Sequence, residues 1–168
     1  MTDLFSIKKI ELLHPKLRDE ALLIYGDIER NLTGNAKCRF LSTLRTFAEQ
    51  DALYQQGRTK PGKIVTNARA GTSYHNYSLA IDIVIIADKD MNGTYESALW
   101  DVKSDFDKDG KADWIEAVHI FKSYGWEWGG DWKFSDPPHF QKTFGYSIQQ
   151  LKALHDSKRV DKNGYVLI

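Results

Sequence analysis

The sequence has little cysteine, little proline and no long apolar run. Its 168 residues include one cysteine and four prolines. A single thiol, Cys38, excludes an internal disulfide and a zinc site built from several thiolates. Any bound metal must therefore use histidine and carboxylate ligands. No stretch approaches the roughly 18 apolar residues of a membrane span, so we expect no membrane insertion.

The sequence also lacks a secretion signal and an overall excess of charge. No basic stretch followed by an apolar one opens the chain, which predicts synthesis in the cytoplasm without a signal peptide. The formal net charge is +0 at pH 7, which argues against a nucleic-acid partner. Residues 88–116 nevertheless contain nine acidic residues and four lysines. The acidic charge is therefore concentrated in one segment.

The composition is typical of a folded protein. Hydrophobic residues make up 42% of the chain and charged residues 27%, which is close to the averages for globular domains. A chain of this length usually builds one hydrophobic core. We therefore predict a single domain over residues 1–168, acting as a monomer, with an acidic insertion at about 88–116.

The spacing of apolar residues indicates both helices and strands. Residues 15–32 and 113–124 have apolar positions at helical spacing, which predicts two amphipathic helices. Residues 79–86 are apolar at nearly every position, a pattern typical of a central strand covered on both faces. A further strand is predicted at 139–142. We therefore expect an α+β fold in which helices flank a small central antiparallel sheet.

A strand-to-helix junction is predicted at Arg45. Residues 38–45 alternate in a way that suits a short strand. Thr46 and Glu49 then have the spacing of a capping box, which predicts a helix near 47–56. Such junctions commonly carry functional side chains, so Arg45 is a candidate site residue.

Asp82 lies in an apolar strand, where an unpaired carboxylate is costly. It must be hydrogen-bonded, ion-paired or bound to a metal, and for Asp82 alone a structural hydrogen bond is the most common solution. His75 lies seven residues earlier across a polar turn, so the chain can bring imidazole and carboxylate together. Asp136 and His139 flank a Pro-Pro pair, which predicts an extended segment that directs both side chains to one side.

These four residues together favour a metal site. Two imidazoles and one carboxylate with one position open to water form the ligand set of a catalytic zinc site. The sequence thus favours zinc bound by His75, Asp82 and His139, in a cleft on the sheet. Asp136 is then placed to act as the base for the water.

Several motifs occur in order along the chain. They are LRTFAEQDALYQQGRTKPG at residues 44–62, S-x-H-x-x-S-x-A-x-D at 73–82, W-G-G-D-W at 128–132 and D-x-P-H-F at 136–140. Over roughly residues 10–150 the chain resembles a family of zinc peptidases. That family includes the D-alanyl-D-alanine dipeptidases and carboxypeptidases and the L-alanyl-D-glutamate endopeptidases of phage lysins.

The resemblance implies a role for each residue of the predicted site. Zinc is held by His75, Asp82 and His139. Asp136 is the general base, which takes a proton from the water and passes it to the leaving amine. Arg45 matches the family's transition-state arginine, whose fixed charge stabilises the oxyanion. A surface ion pair is the alternative for Arg45.

The resemblance also implies contacts with substrate. Ser73 matches a substrate-contacting or ligand-orienting hydroxyl, and Gln50 matches a side chain that supports the site. Trp128 and Trp132 are expected to line the cleft, with core packing as the alternative. Ser78 stands where the family has glycine, which puts the geometry of the turn in question if the backbone there needs a positive φ.

The acidic insertion contains a loop that resembles the calcium loop of an EF-hand. Residues 105–116 read DFDKDGKADWIE, which has the D-x-D-x-D-G spacing and an acid at the twelfth position. The expected Ca²⁺ ligands are Asp105, Asp107, Asp109, the carbonyl of Lys111, Asp113 and Glu116. An exposed acidic loop that binds nothing is the alternative. A second segment that starts at Asp88 begins in the same way. Its twelfth position is Leu99 rather than an acid, so residues 88–96 form at most a partial site.

The resemblance implies a zinc metallopeptidase that cleaves amide bonds in the stem peptides of bacterial peptidoglycan, and the acidic loop adds the hypothesis that calcium is a structural cofactor that tunes activity. An L-alanyl-D-glutamate endopeptidase is preferred, and a D,D-carboxypeptidase is the first alternative. A non-catalytic, calcium-stabilised wall-binding module is an alternative of another class. A cell-wall substrate without a signal peptide suggests release by lysis, as for a phage endolysin.

Overall fold

The computed structural model describes residues 3–168. Its α-helices are α1 (Leu4–Ile10), α2 (Pro15–Asn31), α3 (Phe47–Gln55), α4 (Asp113–Ser123) and α5 (Ile148–Asp156). Its strands are β1 (Ala36–Ser42), β2 (Ala80–Ala87), β3 (Ser97–Leu99), β4 (Glu127–Trp128) and β5 (His139–Gln141). Short 3-10 turns, Tyr74–Tyr77 and Gly129–Asp131, precede β2 and follow β4. Within the described residues, no helix combines the length and the apolar character that a membrane crossing requires.

The five strands form one antiparallel sheet around β2. Their order is β1-β2-β5-β4, and β3 also pairs with β2. The first residues of β2 pair with β5, and its last residues pair with β3. This register places Asp82 opposite Ser42 on one side and opposite His139 on the other. The carboxylate and one imidazole of the predicted metal site are therefore direct cross-strand neighbours.

An aromatic cluster in the core joins the helices to the sheet. Phe40 of β1, Phe121 of α4 and Phe140 of β5 are all fully buried. The ring centroids of Phe121 and Phe140 are 4.1 Å apart in a stacked arrangement, and those of Phe40 and Phe121 are 5.7 Å apart. Full burial of each such side chain contributes about 1.5–3 kcal/mol. The cluster therefore fixes β5, which carries a predicted ligand, against α4.

The predicted α+β architecture is confirmed. The helix expected at 15–32 is α2, that at 47–56 is α3 and that at 113–124 is α4. The capping box of α3 is present, since Thr46 Oγ1 accepts a hydrogen bond from the Glu49 N–H at 3.2 Å and the Glu49 carboxylate accepts one from the Thr46 N–H at 2.7 Å. Helices α1 and α5 were not predicted.

Ser78, which replaces the family's glycine, has a left-handed backbone conformation. Its φ is 60° and its ψ is 32°. Its N–H donates to the His75 carbonyl at 3.2 Å, and its own carbonyl accepts from the His14 N–H at 2.9 Å. A left-handed conformation costs a residue with a Cβ about 1–2 kcal/mol. The turn between His75 and β2 thus keeps the positive φ that glycine would adopt without strain.

Candidate functional site

Three potential ligand atoms meet at one end of β2. His75 Nε2 lies 3.0 Å from Asp82 Oδ1 and 3.2 Å from His139 Nδ1. His139 Nδ1 lies 3.2 Å from Asp82 Oδ1. Ligand atoms of a tetrahedral zinc ion with bonds of about 2.0–2.1 Å are roughly 3.3 Å apart. The structure therefore brings the three predicted ligands together in a triangle that fits a tetrahedral metal and leaves its fourth position free.

Hydrogen bonds on the far side of each imidazole set its tautomer. His75 Nδ1 is 2.7 Å from the Thr43 carbonyl, which can only accept, so this nitrogen carries the proton. The Gln141 amide donates to Glu127 Oε2 at 2.8 Å, which turns its Oε1 toward His139 Nε2 at 3.1 Å. Both histidines, when neutral, therefore direct a lone pair into the triangle. Three lone-pair atoms this close repel one another unless a cation lies between them.

The electrostatics of the triangle favour a bound positive charge. Burial alone raises the pKa of Asp82, but hydrogen bonds and charge interactions with His75 and His139 outweigh it and lower that pKa well below its ordinary value. Burial lowers the pKa of His139, yet Asp82 reverses this effect and the pKa is raised. The carboxylate thus stays ionised in a largely apolar strand because two imidazoles and the Arg45 guanidinium face it.

Arg45 lies between β1 and α3 and is held at both its backbone and its side chain. Its guanidinium Nη2 is 3.3 Å from Asp82 Oδ2, and its Nη1 donates to Gln50 Oε1 at 3.2 Å. The Arg45 N–H donates to the His75 carbonyl at 3.1 Å, and the Arg45 carbonyl accepts from the Asn76 amide at 2.8 Å. The arginine charge is therefore fixed beside the ligand triangle.

Gln50 and Ser73 have different positions relative to the cleft. Gln50 is fully buried. Its amide donates to the Ala68 carbonyl at 2.7 Å, and its Oε1 accepts the hydrogen bond from the Arg45 guanidinium. From this buried position Gln50 supports the site by holding Arg45, as the resemblance implies, and it does not present its side chain to substrate. Ser73 does line the cavity, and its hydroxyl accepts from the His75 N–H at 3.3 Å.

Asp136 lines the same cavity, but the Pro-Pro segment that carries it is not extended as predicted. The Asp136 carbonyl accepts from the His139 N–H at 3.0 Å, which closes a turn over the two prolines. The Asp136 N–H donates to the Gly129 carbonyl at 2.9 Å. A Cβ on Gly129 would lie 2.5 Å from the Asp136 carbonyl oxygen, so a larger residue would displace the turn. Burial raises the pKa of the Asp136 carboxyl above its ordinary value.

The two tryptophans of the W-G-G-D-W motif have different roles. Trp132 lines the cavity, with its ring centroid 5.2 Å from that of His139. Trp128 does not line it. Its indole N–H donates to the Pro137 carbonyl at 2.8 Å, and its ring packs against the core. Trp128 thus has the core packing that was the alternative to lining the cleft, and it supports the turn that carries Asp136.

The cavity that these residues line has a volume of about 620 Å³. Its wall includes Trp100, which was not predicted from the sequence. Gln141 and Glu127, which orient His139, and Thr43, which orients His75, were also missed. Gln141 carries a usable signal, because a residue two positions after a ligand on a strand points to the same face.

The acidic loop, residues 105–116, folds around its own backbone. Asp105 Oδ2 accepts from the Gly110 N–H at 3.0 Å, and Asp107 Oδ1 accepts from the Asp109 N–H at 3.2 Å. Two groups of carboxylates each offer oxygens within 4.8 Å of one another. These groups are Asp105, Asp107 and Asp113, and Asp107, Asp109 and Glu116.

Two carboxylates of the acidic loop hold buried oxygens without a hydrogen-bond partner. Asp113 is 0% exposed, and its Oδ1 has no partner while its Oδ2 accepts from the Phe106 N–H at 3.0 Å. Glu116 is 7% exposed, and its Oε2 has no partner while its Oε1 lies 3.5 Å from Lys111 Nζ. Burial raises the pKa of both carboxyls. A buried carboxylate oxygen is costly unless a hydrogen-bond donor, a proton or a cation satisfies it.

The partial loop at residues 88–96 lacks these features. Asp88 Oδ1 accepts from the Asn92 N–H at 3.1 Å, and its Oδ2 accepts from the Gly93 N–H at 2.8 Å. Both oxygens are thus satisfied by the loop itself. Across residues 3–168, the groups of three potential metal ligands lie elsewhere.

A family profile and a curated protein resemble this chain in sequence. Residues 66–142 match a family profile described as D-alanyl-D-alanine carboxypeptidase. The peptidoglycan L-alanyl-D-glutamate endopeptidase CwlK of Bacillus subtilis (strain 168) is 55% identical over 98 residues, which are 58% of this chain and 55% of that protein. The chain therefore spans about half the length of this curated relative. The resemblance predicted from the motifs is confirmed.

A solved structure shares the fold. The crystal structure of the Serratia marcescens L-Ala D-Glu endopeptidase ChiX matches with a TM-score of 0.53 over 83% of this chain and 87% of that one. The sequences are 22% identical, so this likeness supports the α+β architecture alone.

Proposed function

We propose that this chain, whose residues 66–142 match the D-alanyl-D-alanine carboxypeptidase family, is a zinc-dependent peptidase acting on the stem peptides of bacterial peptidoglycan. The observation that carries the proposal is the triangle of His75 Nε2, Asp82 Oδ1 and His139 Nδ1 in the wall of an open cavity. Arg45 and Asp136 line the same cavity. A metal site, a fixed positive charge and a titratable carboxyl thus surround one space.

The donor set fits zinc. His75, Asp82 and His139 would hold the ion, because two imidazoles and one carboxylate suit it and leave a position free. When bound, zinc acts as a Lewis acid toward a carbonyl oxygen and lowers the pKa of water to about 7. Thr43 and Gln141 keep the two rings in the ligating orientation. Such outer partners are worth about 10–100-fold in metal affinity or activity.

Asp136 moves the proton in the proposed reaction. Its raised pKa makes its carboxylate a stronger proton acceptor than an ordinary aspartate. The carboxylate takes a proton from the attacking water and then, as a carboxylic acid, delivers it to the nitrogen of the leaving amine. The hydrogen bond between the His139 N–H and the Asp136 carbonyl fixes the approach of the side chain.

Arg45 stabilises the negative charge that develops on the carbonyl oxygen of the scissile amide. Asp82 and Gln50 hold its guanidinium from two sides, so the charge is in place before substrate binds. A positioned donor of this kind is most effective when it needs no rearrangement during the reaction. The arginine also offsets part of the charge of Asp82.

The choice of scissile bond rests on the relative. CwlK, which is named an L-alanyl-D-glutamate endopeptidase, is 55% identical over 98 residues, so the bond between L-alanine and D-glutamate is the first candidate. A D,D-carboxypeptidase uses the same kinds of reacting groups and is the second candidate, because the family description names that activity. For either bond, the proposed place of action is the cell wall.

Mass spectrometry of muropeptides after digestion of purified peptidoglycan tests the proposal. New fragments with an N-terminal glutamate are expected. Loss of a terminal D-alanine would instead indicate the carboxypeptidase. Unchanged muropeptides, with a protein that still sediments with the wall, would contradict a peptidase and favour a wall-binding module. The zinc-loaded Asp136→Ala variant is the matched control for contaminating hydrolases.

A Ca²⁺ ion in the acidic loop is the second part of the proposal. The supporting observation is that Asp113 Oδ1 and Glu116 Oε2 are buried without partners, at the ninth and twelfth positions of a loop with calcium-binding spacing. The expected ligands are Asp105, Asp107, Asp109, the Lys111 carbonyl, Asp113 and Glu116. Calcium would satisfy the buried oxygens and relieve the repulsion among the carboxylates.

Isothermal titration calorimetry of the zinc-loaded protein with Ca²⁺ tests this site. Glu116→Gln should weaken binding strongly, because it removes a charged ligand that binds through two oxygens. Asp90→Asn is the matched control, since it removes a carboxylate from the neighbouring loop and should leave binding unchanged. Equal affinity of the wild type and Glu116→Gln would eliminate the site.

A further inference from the structure

We propose that the acidic loop holds Trp100 in the wall of the substrate cavity, so that calcium binding at the loop sets the affinity for substrate. This role rests on the peptidase activity and the calcium site proposed above. Trp100 thereby gains a contact with substrate. The acidic loop gains a regulatory function that acts on Trp100 through two buried residues, Trp114 and Leu99.

The first link is Trp114, which lies within the acidic loop between Asp113 and Glu116. Its side chain is 1% exposed and packs in the core. Its indole N–H donates to the Leu99 carbonyl at 2.9 Å. Because Trp114 belongs to the first turn of α4, any displacement of that turn is passed directly to Leu99.

The second link is β3, which ends at Leu99 immediately before Trp100. The strand has three residues, and in the described part of the chain its only pairing is with β2. So short a strand makes few backbone hydrogen bonds. The hydrogen bond from the Trp114 indole to the Leu99 carbonyl therefore contributes much to holding the C-terminal end of β3. Trp100 lines the same cavity as Arg45 and His139.

The exposure of Trp100 points to a ligand. The residue is 57% exposed and lines the cavity, so much of its indole is accessible to a bound molecule. An indole at the rim of a cavity offers a broad, rigid apolar face to a bound molecule. In a peptidase this face would form part of the wall against which the substrate lies.

The acidic loop is also tied to the fold on its other side. Asp107 Oδ2 accepts from the Thr33 N–H at 2.8 Å and from the Thr33 hydroxyl at 3.3 Å. The Asp113 N–H donates to the Ser104 carbonyl at 3.1 Å. With a cation among its carboxylates, the loop is a rigid connection from the α2–β1 turn to α4 and β3. Without the cation, mutual repulsion loosens this connection.

Steady-state kinetics of the zinc-loaded protein on a muropeptide, with and without Ca²⁺, tests the link. Calcium should lower KM several-fold in the wild type with a smaller change in kcat, because a binding wall contributes to ground state and transition state alike. Trp100→Ala should have a raised KM that calcium no longer changes. Ile148→Ala alters the same cavity from α5 and should raise KM while keeping the calcium response.

Hydrogen exchange measured by mass spectrometry gives a readout independent of turnover. Exchange in residues 97–100 should slow when Ca²⁺ binds the wild type and should not respond in Glu116→Gln. If calcium binds but changes neither KM nor the exchange of residues 97–100, the proposed action of the loop on Trp100 is wrong. It is also wrong if calcium still lowers KM in Trp100→Ala. Absence of turnover in the wild type and in every variant would contradict the proposed peptidase activity as well as this inference. Absence of binding heat would remove the calcium site.

Discussion

Asp82 and His139 face each other on neighbouring antiparallel strands, with Asp82 Oδ1 3.2 Å from His139 Nδ1. This pairing makes the register of the sheet part of the site. Side chains alternate between the two faces of a strand, so a slip of one residue would send one ligand to the opposite face. The strand pairing of β2 with β5 therefore positions two of the three proposed zinc ligands without any metal.

Gln141→Met should weaken metal binding by about 10–100-fold, because it removes the acceptor that orients His139. Gln141→Glu should restore only part of the affinity, since its carboxylate can accept the same proton but then faces the Glu127 carboxylate, to which the Gln141 amide donates. Competition with a fluorescent zinc chelator measures the effect. Equal affinity of the wild type and Gln141→Met would show that the Nε2 contact does not orient the ring.

Asp136→Asn should lower kcat by about 10²–10⁴-fold while zinc content stays at one ion per chain. The amide keeps the size of the side chain but cannot carry the proton. Single-turnover kinetics and metal analysis of the same preparation measure both quantities. A variant that retains most of the wild-type kcat would remove Asp136 from its role as the base.

Arg45→Met should lower kcat by about 10²–10³-fold through loss of the positive charge beside the scissile carbonyl. Gln50→Met leaves that charge in place and removes one of its two supports, so it should cause a smaller loss. Comparison of kcat for the two variants at matched zinc content tests this order. A larger loss in Gln50→Met than in Arg45→Met would contradict it.

Ser78→Gly should stabilise the protein by about 1 kcal/mol or less. Glycine relieves the left-handed strain, and the greater entropy of the unfolded chain offsets part of this gain. Ser78→Ala keeps the Cβ and serves as the matched control, which should show no gain. Equilibrium unfolding in urea measures the difference, and a Ser78→Gly variant less stable than Ser78→Ala would contradict the strain.

The calcium-free protein should lose stability as the pH rises through the carboxyl range. Burial raises the folded-state pKa values of Asp113 and Glu116 above their ordinary 3.8 and 4.5. Between the ordinary and raised values the folded state binds more protons than the unfolded chain, so the free energy of unfolding falls with rising pH. Asp113→Asn should flatten this dependence. Melting temperatures of both proteins from about pH 4 to 7, with and without Ca²⁺, measure it, and parallel curves would contradict the burial effect.

Features that depend on near neighbours were predictable from the sequence. The helical spacing of α2 and α4, the capping box of Thr46 and Glu49 and the apolar run of β2 all involve residues a few positions apart. Helix α5 begins with the same kind of signal, a capping box between Ser147 and Gln150 that the structure contains. Its prediction was therefore within reach of the sequence.

Other features depend on atoms that only the folded chain brings together. The turn over the two prolines closes through a hydrogen bond from the His139 N–H to the Asp136 carbonyl. The Asp136 N–H, at the beginning of the turn, donates to the Gly129 carbonyl. The sequence pattern predicted an extended segment, because a Pro-Pro pair favours one in isolation. In the fold, the bond to Gly129 selects the turn.

The sequence by itself determined the residue types of the proposed metal site, the spacing of the acidic loop and the main helices and strands. Only the tertiary structure decided that Gln50 supports Arg45, that Trp128 packs beneath the turn and that Trp100 reaches the cavity. The physical reason is distance along the chain. His75 and His139 are 64 positions apart in the sequence, yet His75 Nε2 lies 3.2 Å from His139 Nδ1. Contacts of that kind follow from sheet register and core packing rather than from any local pattern.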